Sequence, residues 1–256
     1  MINFHFTFDK TKKSQNLKKI LLKKYKNFTP QKSKYIIVAG GDGFMLKTLK
    51  KYFRFNKPFY GINCGSFGFL MNKYLTKNLP KKIMKAKKTS INPLEMITTN
   101  KYNYKKKLIA INEISLFRQS RQTVSIKLAL GNKTIINKLI GDGVLISSPA
   151  GSTAYNLSVH GPILSLNSGK LAITPISPFR PRRWKGKIVS NKMLIKISNL
   201  NIKKRPMAAV ADNVEVRNIR SLKIKVNKKI KINLLHDQGM SLSKKIKLEQ
   251  AKKNTR

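Results

Sequence analysis

The stretch "YIIVAGGDGFMLKTLKKYF", Tyr35–Phe53, decides the fold class. Ile36, Ile37 and Val38 are unbroken apolar, the pattern of a strand covered on both faces. A glycine turn holding one aspartate follows, Gly40-Gly41-Asp42-Gly43, and a helix is expected from about Phe44 to Tyr52. Upstream, the alternation of Ile2, Phe4, Phe6 and Phe8 predicts a strand over 2–8, and a Lys-rich stretch over about 14–26 reads as a helix. Downstream, "KPFYGINCGSFGFL" reads as another short strand ending in glycines. Strand–helix–strand alternation implies a parallel sheet with right-handed crossovers. Ligands of such sheets bind at the carboxyl ends of the strands, where the glycine clusters at 40–43 and 61–68 both fall.

From about Pro93 the texture changes. Short β-like runs follow one another: "LEMITT", "KLIAINEISLF", "VSIKLAL", "KTIINKLI", "GVLISS", "KIVSNKMLIKIS", "MAAVADNVEV" and "LKIKVNKKIKINLL". The expected plan is an α/β domain with a parallel sheet over 1–92 and a β-rich, β-sandwich-like domain over 93–240. The basic tail over 241–256 is expected to fray or to dock back on the first domain. No internal repeat is visible.

The chain has 256 residues, 41% of them hydrophobic, which fits a globular protein with a large core. No apolar run reaches the length of a membrane span, and no secretory leader is recognised. Cys64 is the only cysteine, which excludes an internal disulfide and fits a reducing cytoplasm. Against 55 Lys and Arg stand only 9 Asp and Glu, a net charge of +46. Such a balance suits a nucleic-acid binder. Here the excess is nearly all Lys and is spread along the whole chain, so it reads as compositional, with no specific nucleic-acid partner and no membrane partner expected.

Three clusters carry chemistry. The first is Gly40–Gly43. It is neither a Walker A loop nor a complete dinucleotide fingerprint. Its glycines still let a ligand approach the backbone, and the helix start offers free N–H groups to phosphate oxygens. The bland alternative is a tight turn with Asp42 as helix N-cap. The second cluster is Asn112-Glu113 inside an apolar strand, where alternation should turn one of the pair inward. An amide and a carboxylate side by side can bind a vicinal diol such as a ribose. The third is "GDGVLISSPAGSTAYNLSVHGPIL", dense in Gly, Ser, Thr, Tyr and Asn; it lacks the nucleophile elbow of serine hydrolases. Asp42, Glu113 and Asp142 fall one in each cluster of an acid-poor chain.

In order, "GGDGFML", "GINCGSFGFL", "NEISL", "GDGVLISSPAGSTAYNLSVHGPI", "TPISPFRPRRW" and "ADN" span about residues 36–213. Together they resemble the NAD kinase family. The resemblance implies transfer of the ATP γ-phosphate to the 2′-hydroxyl of the adenosine ribose of NAD, a divalent cation, usually Mg²⁺, and a homo-oligomer, dimer or tetramer. It makes Asp42 the general base, with Gly43 beside the substrate and Gly40, Gly41 and Gly43 at the phosphates. It assigns ribose hydroxyls to Asn112 and Glu113, and a substrate adenine to Asp142, in some members across a subunit interface. Thr153, Ala154, Tyr155, Asn156, Leu157 and Ser158 line the dinucleotide site, with Tyr155 as a stacking surface, and Asn213 is a polar contact. Phe67 is a further candidate for stacking on adenine. The sequence departs from the family pattern at Ala150, His160 and Ile140. A diacylglycerol kinase-like lipid kinase, which shares the "GGDG" turn, and a basic nucleic-acid-binding protein are the alternatives.

Overall fold

The computed structural model describes residues 2–66, 68–240 and 242–253, the side chains of 249–253 excepted. Phe67 and the outermost tail lie outside the described residues. The chain forms two compact units, 1–92 with 229–256, and 93–228.

The first unit is built on a five-stranded mixed sheet. Strands β1 (Phe4–Phe8), β2 (Tyr35–Gly40) and β3 (Phe59–Asn63) run parallel in sequence order. The last strand of the chain, β17 (Ile232–His236), joins parallel to β3, and β4 (Lys87–Ile91) closes the sheet antiparallel to it. The unbroken apolar run of β2 is explained by burial: Ile36, Ile37, Val38 and Ala39 are all 0% exposed. Helices α1 (Lys12–Lys24), α2 (Asp42–Tyr52) and α3 (Leu79–Lys85) connect the strands. Thr11 caps α1 through its side chain, and Leu17 and Leu21 turn its apolar stripe into the core.

The parallel arrangement has one consequence for function. Parallel strands all end at the same edge of the sheet. The exits of β2 and β3, and that of β17 into α5 (Leu242–Lys253), therefore come together there. The segment after β3 is a closed loop, pinned by Asn63 N–H to Asn72 O at 2.9 Å and Asn72 N–H to Gly61 O at 2.8 Å.

The second unit holds two six-stranded antiparallel sheets whose inward side chains share one hydrophobic cluster. Its strands are β5 (Leu94–Asn100), β6 (Lys105–Ala110), β7 (Glu113–Arg118), β8 (Val124–Leu130), β9 (Lys133–Gly141), β10 (Gly143–Ser147), β11 (Lys170–Ile176), β12 (Lys187–Ser190), β13 (Ile195–Asn199), β14 (Met207–Ala211), β15 (Val214–Val216) and β16 (Ile219–Val226). One sheet has the order β12-β11-β10-β7-β14-β15 and the other β6-β5-β16-β13-β8-β9. The short helix α4 (Tyr155–Ser158) lies after β10.

Three expectations need correction. The apolar run "LKIKVNKKIKINLL" is not one strand of the β-rich domain: Lys229 is the boundary, and β17 returns to the first sheet. The β-rich unit thus ends at 228, not 240, because Ile232 and Leu234 are buried between β3 and β4. "KLIAINEISLF" is two strands broken at Ile111–Asn112. The polar pair therefore sits at the break, with Glu113 as the first residue of β7. Helix α2 begins two residues earlier than expected, at Asp42. Among the described residues no helix is long and apolar enough to cross a membrane.

Candidate active site

In the first unit Gly41 is the N-cap of α2 and makes no side-chain cap bond, so Asp42 does not serve as the helix cap. Its carboxylate reaches instead to the loop after β3. Oδ2 accepts Phe69 N–H at 2.7 Å and Oδ1 accepts Leu70 N–H at 3.0 Å. Gly68 makes this approach possible, since a Cβ there would stand 2.9 Å from Asp42 Oδ1. A Cβ at Gly41 or Gly43 would meet nothing within 4 Å, so the turn beside the carboxylate is open. Burial pushes the Asp42 carboxyl above its ordinary range. The two N–H donors and the Lys245 ammonium oppose this, and burial wins.

Lys245, on α5, went unnoticed in the sequence because it is one lysine among many. It is 7% exposed, and its ammonium donates to Gly68 O and Phe69 O at 3.0 Å each and to Met71 O. A cavity of about 360 Å³ beside it is lined by Asn63, Ser66, Gly68, Met71 and Lys244.

In the second unit the ends of β10 and β14 flank the start of β7, with Ser147 opposite Glu113 and Ala211 opposite Ile114. Asp212 follows β14 with a left-handed φ of 51°. Its carboxylate accepts Ile111 N–H at 2.9 Å, Asn112 N–H at 2.8 Å and Glu113 N–H at 3.4 Å. From the other side Ser148 N–H donates to Asn112 O at 2.9 Å, and Ser148 Oγ donates to Ile111 O at 2.8 Å. Gly151 lets this loop come so close: a Cβ there would be 2.3 Å from Asn112 O.

The backbone of Asn112 and Glu113 is thus held on both sides while their side chains are left wanting. Asn112 Oδ1 and Glu113 Oε2 are buried and have no hydrogen-bond partner among the described residues. Buried oxygens of this kind are costly unless a ligand supplies the missing donor. Burial, and then the charge of Asp212, push Glu113 up to about 8. The role of Asp212 was missed in the sequence. The available signal was an Asp-Asn turn after an apolar run, in a chain with few acids.

The remaining expected residues divide. Asp142 is held by Arg118, Nε to Oδ1 at 2.6 Å, at the end of β7 away from Glu113. Tyr155 is 36% exposed, its ring lies 5.9 Å from that of Phe117, and it feels the charges of Glu113 and Asp142. Asn156 is 0% exposed: its Oδ1 accepts from Thr174 Oγ1 at 2.7 Å, and its Nδ2 donates to Pro162 O at 2.9 Å. Its side chain thus ties α4 to β11 and to the loop at Pro162. Thr153 is buried, Ala154 and Leu157 are half-buried, and Ser158 and Asn213 are exposed.

A family model for the ATP-NAD kinase C-terminal domain matches residues 111–235. Among solved structures, yeast NADH kinase complexed with NADH superposes with a TM-score of 0.78 at 18% identity, over 93% of this chain and 84% of that one. An NAD kinase from Archaeoglobus fulgidus in complex with ATP gives 0.74 at 19%, over 93% and 95%. The fold is therefore that of the NAD(H) kinases. Closer in sequence are NAD kinase of Brucella suis, 41% identical over 96% of each chain, and that of Rhizobium meliloti, 46% identical over 88% of each. The chain belongs to the NAD kinase family, and it is an enzyme with that activity. The lipid-kinase and nucleic-acid-binder alternatives are set aside on this finding.

Proposed function

We propose that the enzyme transfers the γ-phosphate of ATP to the 2′-hydroxyl of the adenosine ribose of NAD, with Asp42 as general base. The observation that supports this most is the state of the Asp42 carboxylate. Each oxygen takes one backbone N–H, the turn beside it is open at Gly41 and Gly43, and burial raises its proton affinity. A carboxylate so placed is a stronger base than one in water. It takes the proton from the hydroxyl as that oxygen bonds to the γ-phosphorus. The bond from the γ-phosphorus to the bridging oxygen breaks, and ADP leaves.

Asn112 and Glu113 are the proposed ribose-hydroxyl ligands. The amide oxygen only accepts, so it requires a hydroxyl donor. Near neutral pH Glu113 is largely protonated in the free enzyme and can both donate and accept. Tyr155 offers a face to a planar ring, with Asp142, Ser158 and Asn213 as polar contacts and the rest of Thr153–Ser158 as the wall behind. Backbone N–H groups of Gly40, Gly41 and Gly43 serve the phosphates at the start of α2. The β-rich unit is a β-sandwich-like support for the dinucleotide.

A divalent cation, Mg²⁺ for preference, would be carried by the nucleotide. Among the described residues no group of three His, Cys, Asp or Glu could hold one. Mg²⁺ usually keeps several waters and binds largely through substrate phosphates, so the nucleotide would carry it to the site. When bound, it would neutralise phosphate charge. The working form is proposed to be a cytoplasmic homo-oligomer. Incubation of the purified chain with NAD, ATP and Mg²⁺ should yield NADP and ADP in equal amounts; ADP without NADP would overturn the reading.

A further inference from the structure

Two consecutive peptide units lie between Lys245 and Asp42. In the unit joining Gly68 to Phe69, the carbonyl accepts from Lys245 Nζ at 3.0 Å and the N–H donates to Asp42 Oδ2 at 2.7 Å. In the next, Phe69 O accepts from Lys245 Nζ at 3.0 Å and Leu70 N–H donates to Asp42 Oδ1 at 3.0 Å. The C=O and N–H of a trans peptide point in opposite directions. Each unit therefore turns the negative end of its dipole to the cation and the positive end to the carboxylate. The third ammonium proton goes to Met71 O, so Lys245 has all three donors in one loop.

Hydrogen bonds in series polarise one another, and they do so more strongly where water is excluded. Lys245 is 7% exposed and Gly68 and Leu70 are buried. The contacts of Lys245 fall on the two carbonyls whose peptide N–H groups hold the carboxylate.

We infer that Lys245 is a positioning residue for the transfer step: through the Gly68–Leu70 backbone it holds Asp42 in place and moderates its basicity. This rests on the reading of Asp42 as general base. It joins the C-terminal helix to the chemistry, although Lys245 need touch no substrate.

The cation favours the ionised carboxylate, so removing it should raise the proton affinity of Asp42 further. The other titratable groups facing Lys245 are Asp237 and His236. Asp237 is held by Tyr60 Oη–H at 2.7 Å and faces Lys82 at 3.6 Å. His236 is fully buried and pushed down to about 4 by burial and by Lys245. His236 is thus neutral near neutral pH.

The test compares Lys245→Met, Lys245→Gln and Lys245→Arg with wild type and with Asp42→Asn, following melting temperature, kcat, KM for NAD and the pH profile of kcat. Misplacing a catalytic group by about 1 Å costs on the order of 10²-fold in rate. Lys245→Met should lose kcat on that scale with KM for NAD little changed, and the acid limb of its profile should move to higher pH. Lys245→Arg should recover most of the rate and the wild-type limb. Lys245→Gln retains donors to the carbonyls without the charge, so it decides the question should the methionine variant not fold. A folded Gln variant with an unmoved acid limb and wild-type kcat overturns the inference. If Asp42→Asn is inactive in that same experiment, the base reading survives and only the role of Lys245 falls. An active Asp42→Asn removes both.

Discussion

Asp42 and Glu113 are both half-buried residues in an acid-poor chain, and desolvation raises the proton affinity of both carboxyl groups. Their surroundings differ. Asp42 in the first unit receives two backbone N–H bonds and the influence of a buried ammonium. Glu113 in the second has an oxygen without a partner among the described residues, and after burial the influence on it is another carboxylate, Asp212, whose bonds go to the backbone of Ile111 to Glu113. One environment offsets part of the cost of charge on the carboxyl proposed as the base. The other suppresses charge and leaves hydrogen-bonding capacity for a ligand. Two acids of the same chemistry thus meet different surroundings, which suit the different roles proposed for them.

The largest effect should come from Asp42→Asn. Loss of a general base costs on the order of 10²–10⁴ in rate. The amide also turns an NH₂ toward Phe69 N–H or Leu70 N–H, so some loss of melting temperature is expected besides. NAD affinity by calorimetry should survive. A kcat near wild type would break the comparison, since both carboxyls would then be binding groups only.

Next comes the Glu113 pair of variants. Glu113→Ala should lower kcat/KM for NAD by about tenfold, the worth of roughly 1–1.5 kcal/mol of hydrogen bonding to a neutral group. Glu113→Gln keeps a neutral donor and acceptor and should recover most of that loss. Equal damage in both, measured by coupled NADP formation, would mean that the ionised form is the binding form.

Stability against pH offers a gentler test. The folded-state proton affinity of Glu113 lies above its unfolded value of 4.5, at about 8. The folded state is favoured by this group below 4.5, and that contribution is lost as pH rises through 8. The wild-type melting temperature should fall from pH 5 to pH 8.5, and more steeply than that of Glu113→Gln. Parallel curves would remove Glu113 as the cause.

The smallest structural effect is expected at Gly43. Nothing lies within 4 Å of a Cβ there, and the residue is helical. Gly43→Ala should raise stability by up to about 1 kcal/mol through helix propensity while lowering kcat/KM, if the open side of the turn takes the substrate as proposed. Calorimetric melting and steady-state rates separate the two. A gain in stability with no loss of activity would place the substrate elsewhere.

Much of the fold was legible because periodicity is local. The β2 run, the glycine clusters, the change of texture near Pro93 and most strands of the second unit all carry a pattern within a few residues. The return of β17 to the first sheet was not legible. "KIKINLL" alternates like the strands before it, and alternation does not say which sheet a strand joins. Nor was the break at Ile111–Asn112 visible, for it is made by Asp212, about a hundred residues away in the chain.

From the sequence alone came the kind of enzyme and the positions of three acids, two of them in glycine turns and one in an apolar strand, since both depend on residue order. Tertiary structure decided what those acids are. Asp42 is tied to a loop 27 and 28 residues on and, through it, to Lys245. Glu113 is kept largely neutral by burial beside Asp212. Asn156 is turned wholly inward. Proton affinity and exposure are set by what the folded chain brings within a few ångströms, and contacts between distant residues leave no periodic trace in the sequence.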